Sequence, residues 1–270
     1  TDSGQVVVTD RNEKDRVKVM SGVFEGKTLG TPIACVVENQ DVRSKDYEEI
    51  KDSSRIGHAD DVWKEKFGHS DHRGGGRSSG RETLSRVIAG SFAEMFLKEQ
   101  YPELKVYSYA KKIGDRDLKP DELNTVEDYL LEAKSKGESY GGVVETWVTG
   151  VPKNLGEPVF NKLKANLASA VMGIGATCGF ELGGGFELCE LPGTAVHNKS
   201  ESEVYGGIRG GISTGEKIIF RVGFKPTSSI TDTAKKGRHD PCIVPRAIPV
   251  VDAMTWSVLA DQELLRRLNQ

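Results

Sequence analysis

The segment from Arg73 to Gly90, RGGGRSSGRETLSRVIAG, constrains the fold of this 270-residue chain more than any other. Three glycines between two arginines lead into a stretch with apolar residues at three- and four-residue steps, as in an amphipathic helix. These residues are Leu84, Val87, Ile88, Phe92, Met95 and Phe96. Ser79 and Glu82 have the Ser-x-x-Glu spacing of a capping box. The sequence therefore predicts a glycine loop followed by one long helix over about residues 79–99.

A glycine loop at a helix N-terminus is a favourable place for an anion. It exposes backbone N–H groups at the positive end of the helix dipole, and Arg73 and Arg77 add full positive charges. The loop matches neither the P-loop pattern nor the glycine pattern of dinucleotide-binding folds. A phosphate-binding cradle and a plain turn with a helix cap both explain these residues, and the segment alone leaves the two open.

Composition and charge limit the partners of the chain. The formal net charge is −3 and the pI about 6.0, which gives no overall attraction to nucleic acid. No apolar run approaches the ~20 residues that a membrane-spanning helix needs. The four cysteines form no C-x-x-C pair, which predicts reduced thiols and a cytoplasmic protein. His58, His69 and His72 share no helical face, so no metal site is expected.

Strands are predicted in three parts of the chain. The first part covers residues 17–38, where apolar residues surround glycine turns, and the second is the segment GGVVETWVTGVP. The third is KIIFRVGFKP, in which apolar residues alternate with other residues as in a strand with one buried face. The alternating residues are Ile218, Phe220, Val222 and Phe224.

Further helices are predicted between and after these strands. A short helix is expected over residues 126–133, and a longer one in EPVFNKLKANLASAVMG, with Pro158 near its start and Phe160 on its apolar face. A last helix is expected from about Asp252 to Leu268. The regular strand–helix alternation of a doubly wound sheet is absent. We therefore predict an α+β fold with layered sheets and helices, forming a single domain over residues 1–270.

Three polar clusters contain side chains suited to chemistry. In RIGHADD, His58 lies in a glycine-flanked loop, and an imidazole pKa near ~6.5 suits general acid work. KPTSS follows the alternating strand with a lysine and three hydroxyls, and GRHDPC places Arg238, His239 and Asp240 in a row. A surface-loop histidine, an ordinary strand exit and an exposed charged turn are the alternatives. Three such clusters in an acidic protein favour a shared anionic ligand.

With these motifs in their order along the chain, the sequence resembles the chorismate synthase family. The matching segments are SGVFEGKTLGTPIA, DVRSKDY, GHADD with RGGGRSSGRET, GEPVF, GGIRGGISTG, KPTSSI and GRHDPC with RAIPVVDAM. The resemblance implies a lyase of the shikimate pathway of aromatic amino-acid biosynthesis. This lyase converts 5-enolpyruvylshikimate-3-phosphate into chorismate and phosphate by anti-1,4-elimination, and it requires reduced FMN. The resemblance also implies a β-α-β sandwich and a homotetramer.

The family's site residues can be placed on matching positions of this sequence. The resemblance implies that His58 protonates or stabilises reduced flavin and that Asp240 assists proton removal at its N5 atom. Arg55 and Arg238 are expected to contact the substrate. The positions expected to contact the flavin are Arg77, Ser78, Ser79, Gly175, Ala176, Gly210, Lys225, Pro226, Thr227, Ser228, Ser229 and Arg238.

The sequence also departs from the family pattern. An N-terminal segment with a second catalytic histidine, in a Gly-Glu-Ser-His-Gly context, has no match here. We expect this segment and parts of active-site loops to be absent from this sequence rather than from the natural protein. A protein that binds flavin and anions without turnover is the alternative function. The acidic net charge argues against a nucleic-acid-binding module, and whether the chain reduces its own flavin with NAD(P)H stays open.

Overall fold

A computed structural model describes residues 16–38, 59–69, 79–228, 230 and 240–269. Its strands are β1 (Lys18–Val19), β2 (Val23–Phe24), β3 (Lys27–Thr28), β4 (Cys35–Val36), β5 (Lys105–Ile113), β6 (Arg116–Asp117), β7 (Gly142–Thr149), β8 (Thr177–Leu182), β9 (Ile208–Arg209), β10 (Ile212–Ser213) and β11 (Ile218–Phe224). Its α-helices are α1 (Asp60–Phe67), α2 (Thr83–Gln100), α3 (Glu127–Lys136), α4 (Leu163–Met172), α5 (Gly193–His197), α6 (Glu201–Tyr205) and α7 (Val244–Leu268). Three short 3₁₀ helices lie at Gly80–Glu82, Leu123–Val126 and Gly185–Glu190.

The largest sheet of the described chain is antiparallel and has the strand order β6-β5-β7-β11-β8. In β11, Ile218, Phe220 and Val222 are fully buried and Phe224 is 3% exposed, while the residues between them are half-buried. A sheet with one covered face buries every second residue. The alternating pattern therefore predicted this strand correctly. Residues 17–38 do form strands as predicted, but only as the short pairs β1–β4 and β2–β3.

Helices cover one face of the large sheet. Helix α7 packs on β5 and β7, α4 packs on α7 and β8, and α2 lies on α7. Where α2 crosses α7, a Cβ atom added to Gly90 would come within 2.4 Å of the Cα atom of Ala253. Glycine at this position lets the two helix backbones touch. The described chain therefore has the layered α+β arrangement that the sequence predicts.

Helices α2 and α7 run in the same direction. Gly90 of α2 lies against Ala253 of α7. Farther along both helices, Tyr101 at the end of α2 donates a hydrogen bond of 3.0 Å to Glu263 of α7. The contacts involve later residues of α2 with later residues of α7. The two helices are therefore parallel, and both begin at the same end of the fold.

The helix predicted in EPVFNKLKANLASAVMG begins later than expected. Helix α4 starts at Leu163, so the placement of Pro158 near its start and of Phe160 on its apolar face is wrong. Val159 has a φ of 64°, in the left-handed region that disfavours a β-branched residue and interrupts a right-handed helix. Phe160 is consequently 88% exposed.

The last helix begins earlier than the predicted Asp252. Helix α7 starts at Val244, with Pro245 in its first turn and Pro249 farther along. A proline in the first turn loses no hydrogen bond, because the first N–H groups have no intrahelical acceptor. Burial of Val244 and Ala247 against the core stabilises the added residues, which make about two turns. The predicted short helix is confirmed as α3, which ends at left-handed Gly137.

Asp252 of α7 is packed against the large sheet. Its Oδ1 atom accepts a hydrogen bond of 2.5 Å from Ser108 Oγ. The same Ser108 Oγ atom lies 2.7 Å from Thr146 Oγ1. Burial raises the pKa of Asp252 to about 6, against an opposing effect of the Ser108 hydrogen bond, and the nearby Glu94 carboxylate adds to the rise. The carboxyl group is therefore more easily protonated in the folded chain.

We expect Asp252→Asn to gain stability over the wild type as the pH rises. A carboxyl pKa of about 6 in the fold, above its ordinary 3.8, stabilises the wild type below 3.8. This contribution is lost as the pH rises through about 6, whereas asparagine does not titrate. Urea unfolding at several pH values should show the difference in free energy growing to ~3 kcal/mol at most. A difference that is constant with pH would contradict the assignment.

Candidate functional site

Predicted flavin-contacting segments meet at the end of the fold where α2 and α7 begin. Lys225, directly after β11, donates its backbone N–H to the carbonyl oxygen of Ala176, directly before β8, over 2.9 Å. Two residues later, Thr227 Oγ1 donates a hydrogen bond of 3.3 Å to the backbone carbonyl of Asp240. Three sequence-predicted elements, around Ala176, Lys225–Ser228 and Asp240, are therefore neighbours.

The Asp240 carboxylate lies just before the N-terminus of α7. Its Oδ2 atom accepts a hydrogen bond of 2.6 Å from an NH group of Arg246, and the side chains are 15% and 47% exposed, respectively. A guanidinium and a helix N-terminus both stabilise negative charge. The carboxylate of Asp240 is thus held in one place while part of the pair faces solvent.

The turn before β7 hydrogen-bonds to the Lys225–Ser228 segment and to the residue after Asp240. Ser139, which is 7% exposed, donates its hydroxyl to the carbonyl of Thr227 over 2.9 Å. The backbone N–H of Tyr140 donates to the carbonyl of Pro241 over 2.8 Å. Sequence analysis did not find Ser139, Tyr140 or Arg246 as site residues. Neither Ser139 nor Tyr140 belongs to a recognisable motif, since their contacts join residues far apart in the chain.

Ser79 caps the 3₁₀ turn that leads into α2. Its Oγ atom accepts a hydrogen bond of 3.4 Å from the backbone N–H of Arg81, so the predicted capping role of Ser79 is confirmed. The predicted capping box with Glu82 is wrong, because the carboxylate of Glu82 instead binds the guanidinium of Arg86 at 3.1 Å.

Gly175 and Ala176 leave room for a ligand beside the Lys225–Ser228 segment. A Cβ atom added to Gly175 would meet no described atom within 4 Å. Ala176 has a φ of 68°, a left-handed conformation that is uncommon for a residue with a side chain. Such backbone strain is frequent at binding sites. The surface beside Gly175 is therefore open, and the Lys225 ammonium and the hydroxyls of Thr227 and Ser228 belong to the adjoining segment.

Gly210 lies at the other end of α4 from Ala176. The carbonyl of the adjacent Gly211 accepts a hydrogen bond of 2.8 Å from the backbone N–H of Leu163, the first residue of α4. Helix α4 is about 15 Å long, and Ala176 follows its C-terminus. The described chain therefore does not bring Gly210 together with the other predicted flavin contacts, and its role stays a prediction.

Several predicted site residues lie outside the described residues. They are Arg55, His58, Arg77, Ser78, Ser229 and Arg238. Their roles stay predictions. Within the described ranges, no group of three or more histidine, cysteine or acidic side chains could hold a metal ion. No described helix is both long enough and apolar enough to cross a bilayer.

Fold and site together define an α+β protein with one end suited to an anionic small molecule. Two parallel helices present their N-termini at one end, where Lys225, hydroxyl groups and the Asp240–Arg246 pair are also found. Anions are favoured at helix N-termini and beside basic side chains.

Comparison with known proteins identifies the family. The chorismate synthase family profile matches residues 2–264. Chorismate synthase of Bdellovibrio bacteriovorus is 56% identical over 288 aligned positions, which cover 99% of this chain and 84% of that protein. Chorismate synthase of Cytophaga hutchinsonii is 43% identical, with 94% of this chain and 82% of that protein covered. This chain belongs to the chorismate synthase family.

A solved structure agrees with that assignment. A crystal structure of chorismate synthase superposes with a TM-score of 0.75 at 30% identity, covering 94% of this chain and 79% of the other. The α+β fold class and the family resemblance inferred from sequence are therefore confirmed. The chain is an enzyme of the family's class, the carbon–oxygen lyases that act on phosphates.

Proposed function

We propose that this chain converts 5-enolpyruvylshikimate-3-phosphate into chorismate and phosphate by anti-1,4-elimination, with reduced FMN as cofactor. The observation that carries the proposal is the meeting of Ala176, Lys225–Ser228 and Asp240 where α2 and α7 begin. Reduced FMN and this substrate are both anionic, and both helix N-termini and basic side chains favour anions. Membership of the family supports the same reaction and a place in the shikimate pathway.

The residues of the chain bind, orient and move protons in this proposal. When bound, reduced FMN supplies electron density as phosphate leaves the substrate, without net redox change. The flavin would be held by Ser79, Gly175, Ala176 and the Lys225–Ser228 segment. The Asp240 carboxylate would take the proton from the flavin N5 atom, and Arg246 would keep that carboxylate in one orientation.

Roles for residues beyond the described ranges are supported by the family motifs alone. His58 would protonate or stabilise the reduced flavin. Arg55 and Arg238 would bind the phosphate and carboxylate groups of the substrate, since arginine matches both geometrically. Further flavin contacts would come from Arg77, Ser78, Ser229 and Arg238, and the family motif alone assigns the same role to Gly210, which lies within the described ranges.

The working assembly is part of the same proposal. The chain would form one domain over residues 1–270 and would assemble as a homotetramer, as the family resemblance implies. Its four cysteines are free. Free thiols fit a reducing compartment, which supports a cytoplasmic enzyme acting on a small molecule.

An anaerobic assay tests the proposal. Purified protein is mixed with 5-enolpyruvylshikimate-3-phosphate and dithionite-reduced FMN, and chorismate and free phosphate are measured. Equal amounts of both products are expected, with none when FMN is left oxidised. FMN binding without any product would instead favour a flavin-binding protein that does not turn over.

A further inference from the structure

Arg86 joins three elements around the proposed site. Its NH2 group donates a hydrogen bond of 2.7 Å to the carbonyl of Gly173, which follows α4. On its own helix, Arg86 contacts both carboxylate oxygens of Glu82, at 3.2 Å from Nε and 3.1 Å from NH2. Its other NH group reaches Met254 Sδ of α7 at 4.0 Å. Only 24% of the Arg86 side chain is exposed.

The two polar partners of Arg86 adjoin two predicted flavin contacts. Glu82 is three residues after Ser79, within the turn that Ser79 caps. Gly173 is three residues before Ala176, at the start of the turn into β8. The Gly173 carbonyl is also at the C-terminus of α4, where a cation is favoured. Arg86 therefore connects the two segments through one guanidinium.

We propose that Arg86 is a positioning residue of the cofactor site, which holds the Ser79 segment in register with the Gly175–Ala176 turn. This inference rests on the proposed binding of FMN between those segments. Arg86 acts through Glu82 and Gly173. Its removal would therefore loosen the segment around Ser79 and the Gly175–Ala176 turn without removing a flavin contact.

The geometry requires arginine and not merely a positive charge. A planar guanidinium donates in several fixed directions at once, so it can bind a carboxylate and a carbonyl together. A lysine ammonium on a flexible stem matches such a site less well. Arg86→Lys should therefore restore only part of what Arg86→Gln loses.

The same helix offers a matched control. Lys98 pairs with Glu94 at 2.6 Å with the same i,i+4 spacing, three turns farther along α2. That pair lies away from the Ser79 and Gly173 segments. Lys98→Gln therefore removes an ion pair from α2 without touching the proposed connection.

The test is a titration of the complete chain with FMN, monitored by flavin fluorescence and visible absorbance. Thermal unfolding is measured on the same variants. We expect Arg86→Gln to raise the FMN dissociation constant roughly 10- to 100-fold, because the charge-assisted hydrogen bonds that order the binding site before FMN binds are lost. The bound-flavin spectrum should change, Arg86→Lys should be intermediate, and Lys98→Gln should match the wild type.

Each outcome decides the inference. An Arg86→Gln variant that melts lower but binds FMN as tightly as the wild type overturns it. Should Arg86→Gln not fold, Arg86→Lys carries the same comparison, and wild-type affinity in that variant overturns the inference. A wild type that fails to bind FMN overturns the proposed function and this inference together, whereas a wild type that binds FMN isolates the role of Arg86.

Discussion

Asp240→Asn is expected to lower the turnover number by roughly 100-fold or more while leaving FMN affinity within a few-fold of the wild type. A positioned acid or base contributes about 10²- to 10⁴-fold to a rate, and asparagine cannot take a proton. The substitution keeps the size of the side chain. Anaerobic turnover and FMN titration, performed on the same preparation, separate the two effects.

The ion pair with Arg246 provides the control for Asp240→Asn. Arg246→Gln removes the hydrogen bond of 2.6 Å but retains the carboxylate. We expect this variant to lose less activity than Asp240→Asn. Equal losses in both variants would show that the pairing matters and that proton transfer by Asp240 does not. Parallel losses of turnover and FMN affinity would make Asp240 a binding residue.

Arg221→Leu should destabilise the fold by roughly 3 kcal/mol, because it leaves a buried carboxylate unpaired. Glu145, on the sheet face opposite the helices, has a side chain that is only 6% exposed. Its oxygens accept hydrogen bonds from Arg221 Nε at 2.7 Å, the Tyr109 hydroxyl at 2.7 Å and Trp147 Nε1 at 2.9 Å. Removing one partner of a buried ion pair usually costs about 3–5 kcal/mol. We expect a cost at the lower end of that range because the side chain of Arg221 is partly exposed.

The pH dependence of stability gives a second readout for Arg221. Burial alone would raise the pKa of Glu145, but hydrogen bonds from Tyr109, Arg221 and Trp147 outweigh it and hold that pKa below its usual value. The wild type therefore loses this stabilisation only as the pH falls through the lowered pKa. Without Arg221 the pKa of Glu145 is higher than in the wild type, so the deficit of the variant should shrink on acidification.

Urea unfolding of three variants tests this account. Arg221→Leu should cost more than Glu145→Leu, because Arg221 retains the Gly183 carbonyl at 3.1 Å when Glu145 is removed. The double variant should recover much of the loss, since replacing both partners of a buried pair is often close to neutral. A double variant with simply additive losses would contradict a direct coupling between the two charges.

Local sequence patterns predicted the elements whose conformation depends on local burial. The alternation through Ile218 and Phe220 located β11, and the apolar stripe beginning at Leu84 located α2. The start of α4 was missed because Val159 adopts a left-handed conformation that its residue type disfavours. The start of α7 was missed because its first two turns contain prolines, which are unusual inside a helix, and these turns are stabilised by tertiary burial.

The site was predictable only in part for a related reason. The KPTSS and GRHDPC motifs marked Lys225–Ser228 and Asp240, but nothing local shows that Thr227 bonds to Asp240 or that Ser139 supports Thr227. Likewise, the i,i+4 spacing of Glu82 and Arg86 predicts a surface ion pair. The contact of Arg86 with Gly173 spans 87 positions and exists only in the fold.

The backbone contact between Gly90 and Ala253 also sets the spacing of the two segments that carry site residues. With no side chain between them, α2 and α7 pack closely, and any larger residue at position 90 would meet the backbone of Ala253 and push the helices apart. Ser79 precedes one helix and Asp240 the other, so a change in helix spacing at Gly90 would also change the distance between Ser79 and Asp240.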